Sequence, residues 1–472
     1  MTGVTSDHRE VRPGFVFVAV KGTAVDGHRF LLVAQEAGAV SLVGEEPAPG
    51  GLTIPYRQVP DSREALAELA AQFYGYPTRD LWVLGVTGTS GKTTTTYIVE
   101  SILRAAGRKV GVIGTIAFRF GDKIYPSTHT TPGPVELQRL FSEMKRDGCD
   151  AVVMEVSSHA LKQKRVGGVA FDAVAFSNLT PEHLDYHSTM EDYFLTKYLL
   201  LTYCVAESRR QGKQVRICVN ADDAFGVKAI ESLRRGGEQV ISYGFGENVE
   251  VSGRGWVADK RGVRGYYEAH QLDSSLAGRF NASNILCALA LTKSMGISSD
   301  EAVRGIRALR SVPGRMQKIE NPYQLNIWID YAHKPDALEK VLSNLQAERA
   351  SARLYVVFGC GGDRDRAKRP AMAEIAQRLS DGVIVTSDNP RSEDPSAIIE
   401  EIRKGFRTEE GVWIEADRKA AIQLAISKMA PGDLLVVAGK GHETYQLVGQ
   451  ERIPFDDAEV ASQALTRIFK NL

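Results

Sequence analysis

The stretch Asp80 to Glu100, DLWVLGVTGTSGKTTTTYIVE, constrains this chain more than any other. Its apolar run Leu81 to Val86 reads as a buried parallel strand, and the segment from Thr93 onward reads as a helix. Between them lies a turn of small residues, Gly88-Thr89-Ser90-Gly91-Lys92-Thr93. Such a turn lets backbone N–H groups converge on phosphate oxygens at the positive end of the following helix. Lys92 can reach the outer phosphates, and the Thr93 hydroxyl, with Thr94 beside it, can ligate Mg²⁺. The general motif also places glycine five positions before Gly91, where this chain has Val86. A turn that is glycine-rich by chance gives no reason for Lys-Thr at the helix start. The stretch therefore predicts a nucleoside-triphosphate site.

A chain of 472 residues exceeds one ordinary core, and its length suggests about three domains. Lys and Arg number 58, as do Asp and Glu, so bulk charge offers no attraction for nucleic acid or a membrane surface. The five cysteines are scattered, odd in number and free of any Cys-x-x-Cys pair, as for buried thiols in a reducing compartment. No signal peptide and no run of about 18 apolar residues is present, so the cytoplasm is expected.

Along the chain, residues 1–78 read as a small α/β domain, with a strand from Phe15 to Val20 and a serine-capped helix from Ser62 to Tyr74. Residues 79–312 alternate strand and helix as in a parallel α/β sheet, with candidate strands Val110 to Gly114, Ala151 to Val156, Ala173 to Ser177 and Val215 to Asn220. Gln239 to Gly278 instead suggests antiparallel strands at the side of this domain. Residues 313–472 alternate again, as a smaller Rossmann-like sheet without a Gly-x-Gly-x-x-Gly fingerprint. The expected fold class is α/β in three domains.

Glu155 stands near the C-terminal end of an apolar strand, where ligands gather in open α/β sheets. It is a candidate Mg²⁺ partner, or else a capped or salt-bridged acid. Ser157-Ser158-His159 follows and could serve substrate or metal. The loop Asn178 to His187 offers two histidines and two acids as a second cation site, although a loop histidine is usually only solvated. Lys197 lies in a mostly apolar helical run, and the physics of the sequence favours a lysine that snorkels to solvent. In the last domain, polar loops at Asp330 to His333, Gly359 to Arg366, Asp388 to Arg391 and Gly439 to Glu443 each follow a strand, so they should converge on one crevice. Their mixed Arg and Glu content suits a zwitterion: a guanidinium grips a carboxylate, and a carboxylate grips an ammonium.

The ordered motifs Gly88 to Thr93, His129-Thr130-Thr131-Pro132, Met154 to His159, Asn178 to His187 and Asn281-Ala282-Ser283-Asn284 resemble those of the Mur ligase superfamily. Pro313-Gly314-Arg315, Asp330 to His333, Gly361-Gly362-Asp363-Arg364, Asp388 to Arg391 and Gly439 to Glu443 extend the resemblance over nearly the whole chain. The likeness is strongest to the branch that adds the third residue of the peptidoglycan stem. It implies a UDP-binding cap, an ATPase core and an amino-acid-binding domain. It also implies that Thr130, Thr131, Ser157, Gln163 and Arg165 hold the nucleotide-sugar peptide. Gly88 to Thr94, Asn284, Arg315 and Asp330 would hold ATP. His333, Arg364, Asp388, Asn389, Pro390, Arg391, Gly439 and Glu443 would hold the incoming amino acid. Lys92, Glu155, His183 and Lys197 would be catalytic, with Mg²⁺ on Thr93, Glu155, His183 and a CO₂-derived carbamate of Lys197. Two departures stand out: the chain begins almost at its first strand, and the family's Asp-Ser-Arg reads Asp7-His8-Arg9.

The chemistry implied is a two-step ligation: ATP phosphorylates the D-glutamyl carboxylate of UDP-N-acetylmuramoyl-dipeptide, and the amine of meso-diaminopimelate displaces phosphate. The intact Asp-Asn-Pro-Arg at Asp388 to Arg391 points to diaminopimelate, and L-lysine is the alternative. A monomeric cytoplasmic enzyme with no nucleic-acid or membrane partner is expected. Folylpolyglutamate synthase shares the core but lacks the UDP cap and the Asp-Asn-Pro-Arg loop. A silent nucleotide-binding module would have no reason to keep Lys92, Thr93, Glu155, His183 and Lys197 together. A nicotinamide dehydrogenase is opposed by the missing fingerprint.

Overall fold

The computed structural model describes residues 1–22, 25–183, 186–349 and 351–469. The chain forms two compact units. One comprises Met1–Trp256, Gly265–Asp273 and Phe280–Ala308, and the other Val257–Arg264, Ser274–Arg279 and Leu309–Leu472.

The first unit opens with a four-stranded parallel sheet of β1 (Gly3–Thr5), β2 (Phe15–Val18), β3 (Ser41–Gly44) and β4 (Tyr56–Gln58), in that order. Strand alternation sorts its two faces. Phe17 packs with Leu31 and Ala34 of helix α1 (Leu31–Glu36), whereas Val16 and Val18 pack with Leu66 and Ala70 of α2 (Ser62–Phe73). The cap of α2 is Asp61 rather than Ser62: its carboxylate accepts from the Glu64 N–H at 2.9 Å. The Ser62 hydroxyl instead donates to Glu45 at 2.7 Å. Both residues are good cap formers, and the long-range bond to Glu45 decides between them.

A nine-stranded sheet follows. The central strand β5 (Trp82–Thr87) leads into α3 (Lys92–Ala105) and β6 (Val110–Ile113). A meander of β7 (Ala117–Phe120) and β8 (Lys123–Pro126) forms one antiparallel edge. Next come α4 (Pro134–Arg146), β9 (Ala151–Glu155), α5 (Ser158–Lys162), β10 (Ala173–Phe176), α6 (Met190–Tyr198), α7 (Tyr203–Arg210), β11 (Arg216–Asn220) and α8 (Ala224–Arg235). The strands β12 (Val240–Gly244) and β13 (Val251–Ser252) complete the order β13-β12-β11-β10-β5-β9-β6-β7-β8. Both pair in parallel, which corrects the expectation that the chain turns antiparallel from Gln239. Antiparallel pairing begins only with β14 (Val257–Asp259) and β15 (Gly262–Tyr267), before β16 (His270–Ser274). The strand β5 is apolar up to Thr87 because both its faces are covered: Val83, Leu84 and Val86 are fully buried, and the Thr87 hydroxyl donates to the Val156 carbonyl. Helices α9 (Arg279–Ser294) and α10 (Ser299–Ala308) follow, and α10 lies against α3 where Gly305 meets the Ile102 backbone.

The second unit is built on a six-stranded sheet, ordered β17-β18-β22-β19-β20-β21. Its elements are β17 (Gln317–Ile319), β18 (Asn326–Asp330), α11 (Pro335–Glu348), β19 (Leu354–Phe358), α12 (Lys368–Leu379), β20 (Gly382–Val385), α13 (Pro395–Arg403), β21 (Val412–Ile414), α14 (Arg418–Lys428) and β22 (Leu434–Ala438). All but the edge strand β17 pair in parallel. A hairpin of β23 (Tyr445–Val448) and β24 (Glu451–Pro454) precedes α15 (Asp457–Phe469). The five cysteines are buried free thiols, as expected. No helix among the described residues is long and apolar enough to cross a membrane.

Candidate active site

In the first unit, β5 runs on through Val86 and Thr87, so the turn to α3 is confined to Gly88–Gly91 and the upstream glycine of the general motif has no place. Gly88 and Gly91 take positive φ of 148° and 88°, and a Cβ on either would collide, with Ser177 Oγ and Asn284 Oδ1 respectively. Asn284 thus sits directly under the loop. Asn178 and Ser177, at the end of β10, fix it from the side. The Ser90 N–H donates to Asn178 Oδ1 at 3.0 Å, and Ser177 Oγ and Asn178 Nδ2 donate to the Ser90 carbonyl at 2.8 and 3.1 Å.

Two lysines meet on one backbone oxygen. Lys92 Nζ donates to the Gly88 and Thr89 carbonyls at 2.9 and 3.0 Å, and Lys197 Nζ donates to the Gly88 carbonyl at 2.8 Å. Lys197 does not snorkel. It is buried, with its amine 4.6 Å from the Tyr193 ring centroid. Burial, and then the Lys92 charge, hold its pKa well below the usual lysine range.

Glu155, at the end of β9, is buried and fully bonded. Thr93 Oγ1 donates to its Oε2 at 3.1 Å, Thr115 Oγ1 donates to the same oxygen at 3.0 Å, and the Thr115 N–H donates to Oε1 at 2.8 Å. Thr115 escaped the sequence reading because a lone threonine after a short strand carries no signal. The pair of Thr93 hydroxyl and Glu155 carboxylate supplies hard oxygen donors of the kind Mg²⁺ prefers. Among the described residues no group of three or more His, Cys, Asp or Glu is poised for a metal.

The expected substrate residues form a chain beside this pair. Thr131 Oγ1 donates to the Glu155 carbonyl at 2.9 Å, and Thr130 Oγ1 lies 3.1 Å from Thr115 Oγ1. The Ser157 N–H donates to Thr131 Oγ1 at 3.1 Å, and the Ser157 hydroxyl caps α5. Arg165 donates to the Thr131 carbonyl at 2.9 Å and, through two nitrogens, to Gln163 Oε1. Gln163 in turn donates to the Tyr186 hydroxyl at 3.2 Å, and Tyr186 stacks on His159.

The two loop histidines part ways. His183 takes a left-handed φ of 57°, with its ring edge-on to His159 at 5.0 Å and Nε2 3.7 Å from Glu182. His187 is fully buried on Ser158 Oγ at 3.0 Å. Asp185, the second acid of that loop, lies outside the described residues. Near the N-terminus Asp7 grips Arg9 through both its oxygens, and His8 stacks on Phe30 at 3.8 Å.

In the second unit, the four polar loops follow β18, β19, β20 and β22, which are neighbours in the sheet, so they do stand side by side. Asp330 accepts from the Met316 and Ala332 N–H groups at 2.7 and 2.8 Å, and burial raises its pKa against the pull of Arg315. Arg315 lies over the Tyr331 ring at 4.8 Å. His333 Nδ1 faces the Tyr331 carbonyl at 2.8 Å, and burial lowers its pKa to about 4.

Gly362 packs so closely on the Pro390 carbonyl that a side chain there would collide. Arg391, at φ 52°, donates through Nη1 to the Gly362 carbonyl at 2.8 Å. No protein group bonds its Nε or Nη2 among the described residues. Arg364 is exposed. Asn389 Nδ2 donates to Glu443 Oε2 at 2.8 Å, and Lys440, absent from the expected set, donates to Asn389 Oδ1 at 3.1 Å. Gly439, at φ 114°, lies on the Asp388 carboxylate, which no protein group bonds among the described residues. An arginine with spare nitrogens beside a spare carboxylate can take up a zwitterion.

Comparison with known proteins bears on the chain as a whole. Residues 1–74 match the profile described as Mur ligase family, catalytic domain, residues 86–292 the Mur ligase middle domain, and residues 314–441 the Mur ligase, glutamate ligase domain. Among curated proteins, the UDP-N-acetylmuramoyl-L-alanyl-D-glutamate–2,6-diaminopimelate ligase of Geobacter sulfurreducens is 43% identical, covering 98% of this chain and 94% of its own. That of Bacillus velezensis is 42% identical, covering 100% and 95%. A solved structure of a ligase with the same name matches with a TM-score of 0.72 at 30% identity, covering 99% of this chain and 95% of its own. With relatives of this identity matched along almost their whole length, the chain belongs to the Mur ligase family.

Proposed function

We propose that the chain is an ATP-dependent ligase that joins meso-diaminopimelate to UDP-N-acetylmuramoyl-L-alanyl-D-glutamate through an acyl phosphate. The observation that carries the choice of amino acid is Arg391, held by Nη1 with Nε and Nη2 left over, on the same loop as the unbonded carboxylate of Asp388. Diaminopimelate carries a second carboxylate and ammonium at its far end, and L-lysine carries only the ammonium. The names of the relatives support the same reading.

The work divides along 1–78, 79–312 and 313–472 as uridine-nucleotide, ATP and amino-acid domains. The Gly88–Gly91 loop holds the phosphates, and Lys92 swings from the Gly88 and Thr89 carbonyls to the outer phosphate. Asn284, Arg315 and Asp330 hold the rest of the nucleotide. Thr130, Thr131, Ser157, Gln163 and Arg165 present the D-glutamyl carboxylate, which attacks the γ-phosphorus while ADP leaves. The amine then attacks the acyl carbon, a proton is lost, and inorganic phosphate departs. His333, Arg364, Asp388, Asn389, Pro390, Arg391, Gly439 and Glu443 hold the amino acid.

Thr93 and Glu155 fit Mg²⁺ by donor type, with His183 and Lys197 the further candidates. Held there, Mg²⁺ would supply charge neutralisation at the transferred phosphoryl group. An ammonium cannot serve as a ligand, but a buried neutral amine is the form that adds CO₂, so the depressed pKa of Lys197 supports its carbamylation. A monomer in the cytoplasm completes the reading. Phosphate release from ATP by the pure protein with the UDP-dipeptide, offering amino acids one at a time, tests it; no release with any amino acid refutes the activity.

A further inference from the structure

Lys440 is fully buried, and its ammonium lies 3.1 Å from Asn389 Oδ1 and 3.2 Å from Glu443 Oε2. Asn389 Nδ2 reaches the same Glu443 oxygen at 2.8 Å, and the Leu447 N–H adds a second bond to Asn389 Oδ1 at 2.9 Å. The result is a closed triangle of Lys440, Asn389 and Glu443. It spends Glu443 Oε2 and leaves Oε1 without a protein partner among the described residues. Glu443 itself is partly exposed, with 19% of its side chain accessible, so Oε1 is the edge a ligand can meet.

A buried ammonium is retained at a cost, since desolvation disfavours the charged form. A methionine of similar length would fill the same space. What the charge does here is electrostatic: 3.2 Å from Glu443 Oε2, it offsets part of the pull that Glu443 exerts on an incoming cation. Deeper in the fold, Arg418 is paired with Asp457, both fully buried, and it also feels the Asp388 and Glu443 carboxylates, so it adds to the positive charge behind them. Of the residues proposed to hold the amino acid, the charged ones are Glu443, already shared with Lys440, the Asp388 carboxylate, Arg364 and the spare nitrogens of Arg391.

We propose that Lys440 is a specificity-determining residue. By occupying Glu443 it weakens the site for an amino acid whose far end is purely cationic, and it leaves a zwitterionic end, matched by Asp388 and Arg391, as the preferred ligand. Lys440 acts through Glu443 and Asn389 and is not itself in contact with the reacting atoms. This rests on the amino-acid ligase reading above. It differs from the role of Arg391, which rewards a carboxylate; Lys440 penalises an ammonium that arrives alone.

The test compares kcat/KM for meso-diaminopimelate and L-lysine in the wild type, Lys440→Met and Lys440→Arg. In Lys440→Met the preference for diaminopimelate should shrink roughly tenfold, chiefly through a lower KM for L-lysine, with KM for ATP unchanged. Lys440→Arg, which keeps the charge, should hold the preference near wild type. An equal fall for both substrates, or an unchanged ratio, overturns the proposal. Should Lys440→Met not fold, Glu443→Gln carries the test. With Lys440 left uncompensated there, L-lysine use should fall more than diaminopimelate use, and an equal fall overturns the proposal. A wild type that uses neither amino acid refutes the ligase reading instead, so the two failures are told apart.

Discussion

Lys197 faces the opposite way from a solvent-seeking lysine. On α6 Glu191 and Leu195 are exposed, as is Leu199 just past its end, whereas Tyr193, Phe194, Thr196 and Lys197 turn inward. The apolar residues of this helix lie on both sides, so its period could not say which face is buried, and snorkelling followed as the ordinary expectation. Replacing Lys197 by alanine should lower turnover by a factor of about 10² or more, the scale for losing one charge-stabilising group at a transferring phosphoryl. Bicarbonate with a short carboxylic acid should restore part of it; wild-type rates in the alanine variant would contradict the assignment. At Gly91 the backbone itself is the constraint. Gly91→Ala forces a Cβ at φ 88° into Asn284 Oδ1, at about 1–3 kcal/mol of strain, and nucleotide affinity measured by titration calorimetry should fall sharply. Unchanged affinity would mean that the loop is not the phosphate site. The loop was legible from its residue types. Its side support from Ser177 was not, nor were the bonds of Thr115 to Glu155 and of Lys440 to Asn389, because each joins residues far apart along the chain.

At the scale of elements, alternation was readable wherever strands are buried on both faces. The candidate strands that start at Val110, Ala151 and Ala173 appear with those starts, each one residue shorter at its end. Pairing direction was less readable: β12 carries valine, tyrosine and glycine like an edge hairpin strand, yet continues the parallel sheet because β11 lies beside it. The contact of α10 with α3 depends on Gly305, where a Cβ would strike the Ile102 backbone. Gly305→Ala should therefore cost about 1–3 kcal/mol and lower the melting temperature, without altering KM for either substrate. A pH effect belongs to this scale too. His333 and His442 are both held near a pKa of about 4 by burial, below the usual histidine value of 6.5. Between those values the unfolded chain binds more protons than the folded one, so stability falls as pH drops from about 6.5 toward 4. Asp330, raised by burial, works in the opposite sense as it protonates. With two histidines against one carboxyl, hydrogen exchange in Asn326–Asp330, corrected for intrinsic rate, should quicken from pH 7 to pH 5, and His333→Gln should blunt the change. No quickening in the wild type would contradict the buried neutral histidines.

For the whole molecule, the division of labour we propose rests on three of its sheets: a small parallel sheet, a nine-stranded sheet with the Gly88–Gly91 loop, and a six-stranded sheet with four polar loops. The first of these was the least legible in function, since Asp7-His8-Arg9 departs from the familiar pattern and Asp7 is already engaged with Arg9. The central claim we propose is chemical: ATP activates the D-glutamyl carboxylate, and diaminopimelate, selected through Arg391, then attacks it. At about 1.4 kcal/mol per tenfold, a hundredfold preference for diaminopimelate corresponds to about 3 kcal/mol. That matches the low end of breaking a buried ion pair, as suits a half-buried arginine. The most direct measurement is phosphate release with UDP-N-acetylmuramoyl-L-alanyl-D-glutamate and ATP, comparing kcat/KM for meso-diaminopimelate and L-lysine in the wild type and in Arg391→Ala. The wild type should prefer diaminopimelate by about a hundredfold, and the variant should lose most of that preference. A wild type that prefers L-lysine would contradict the account.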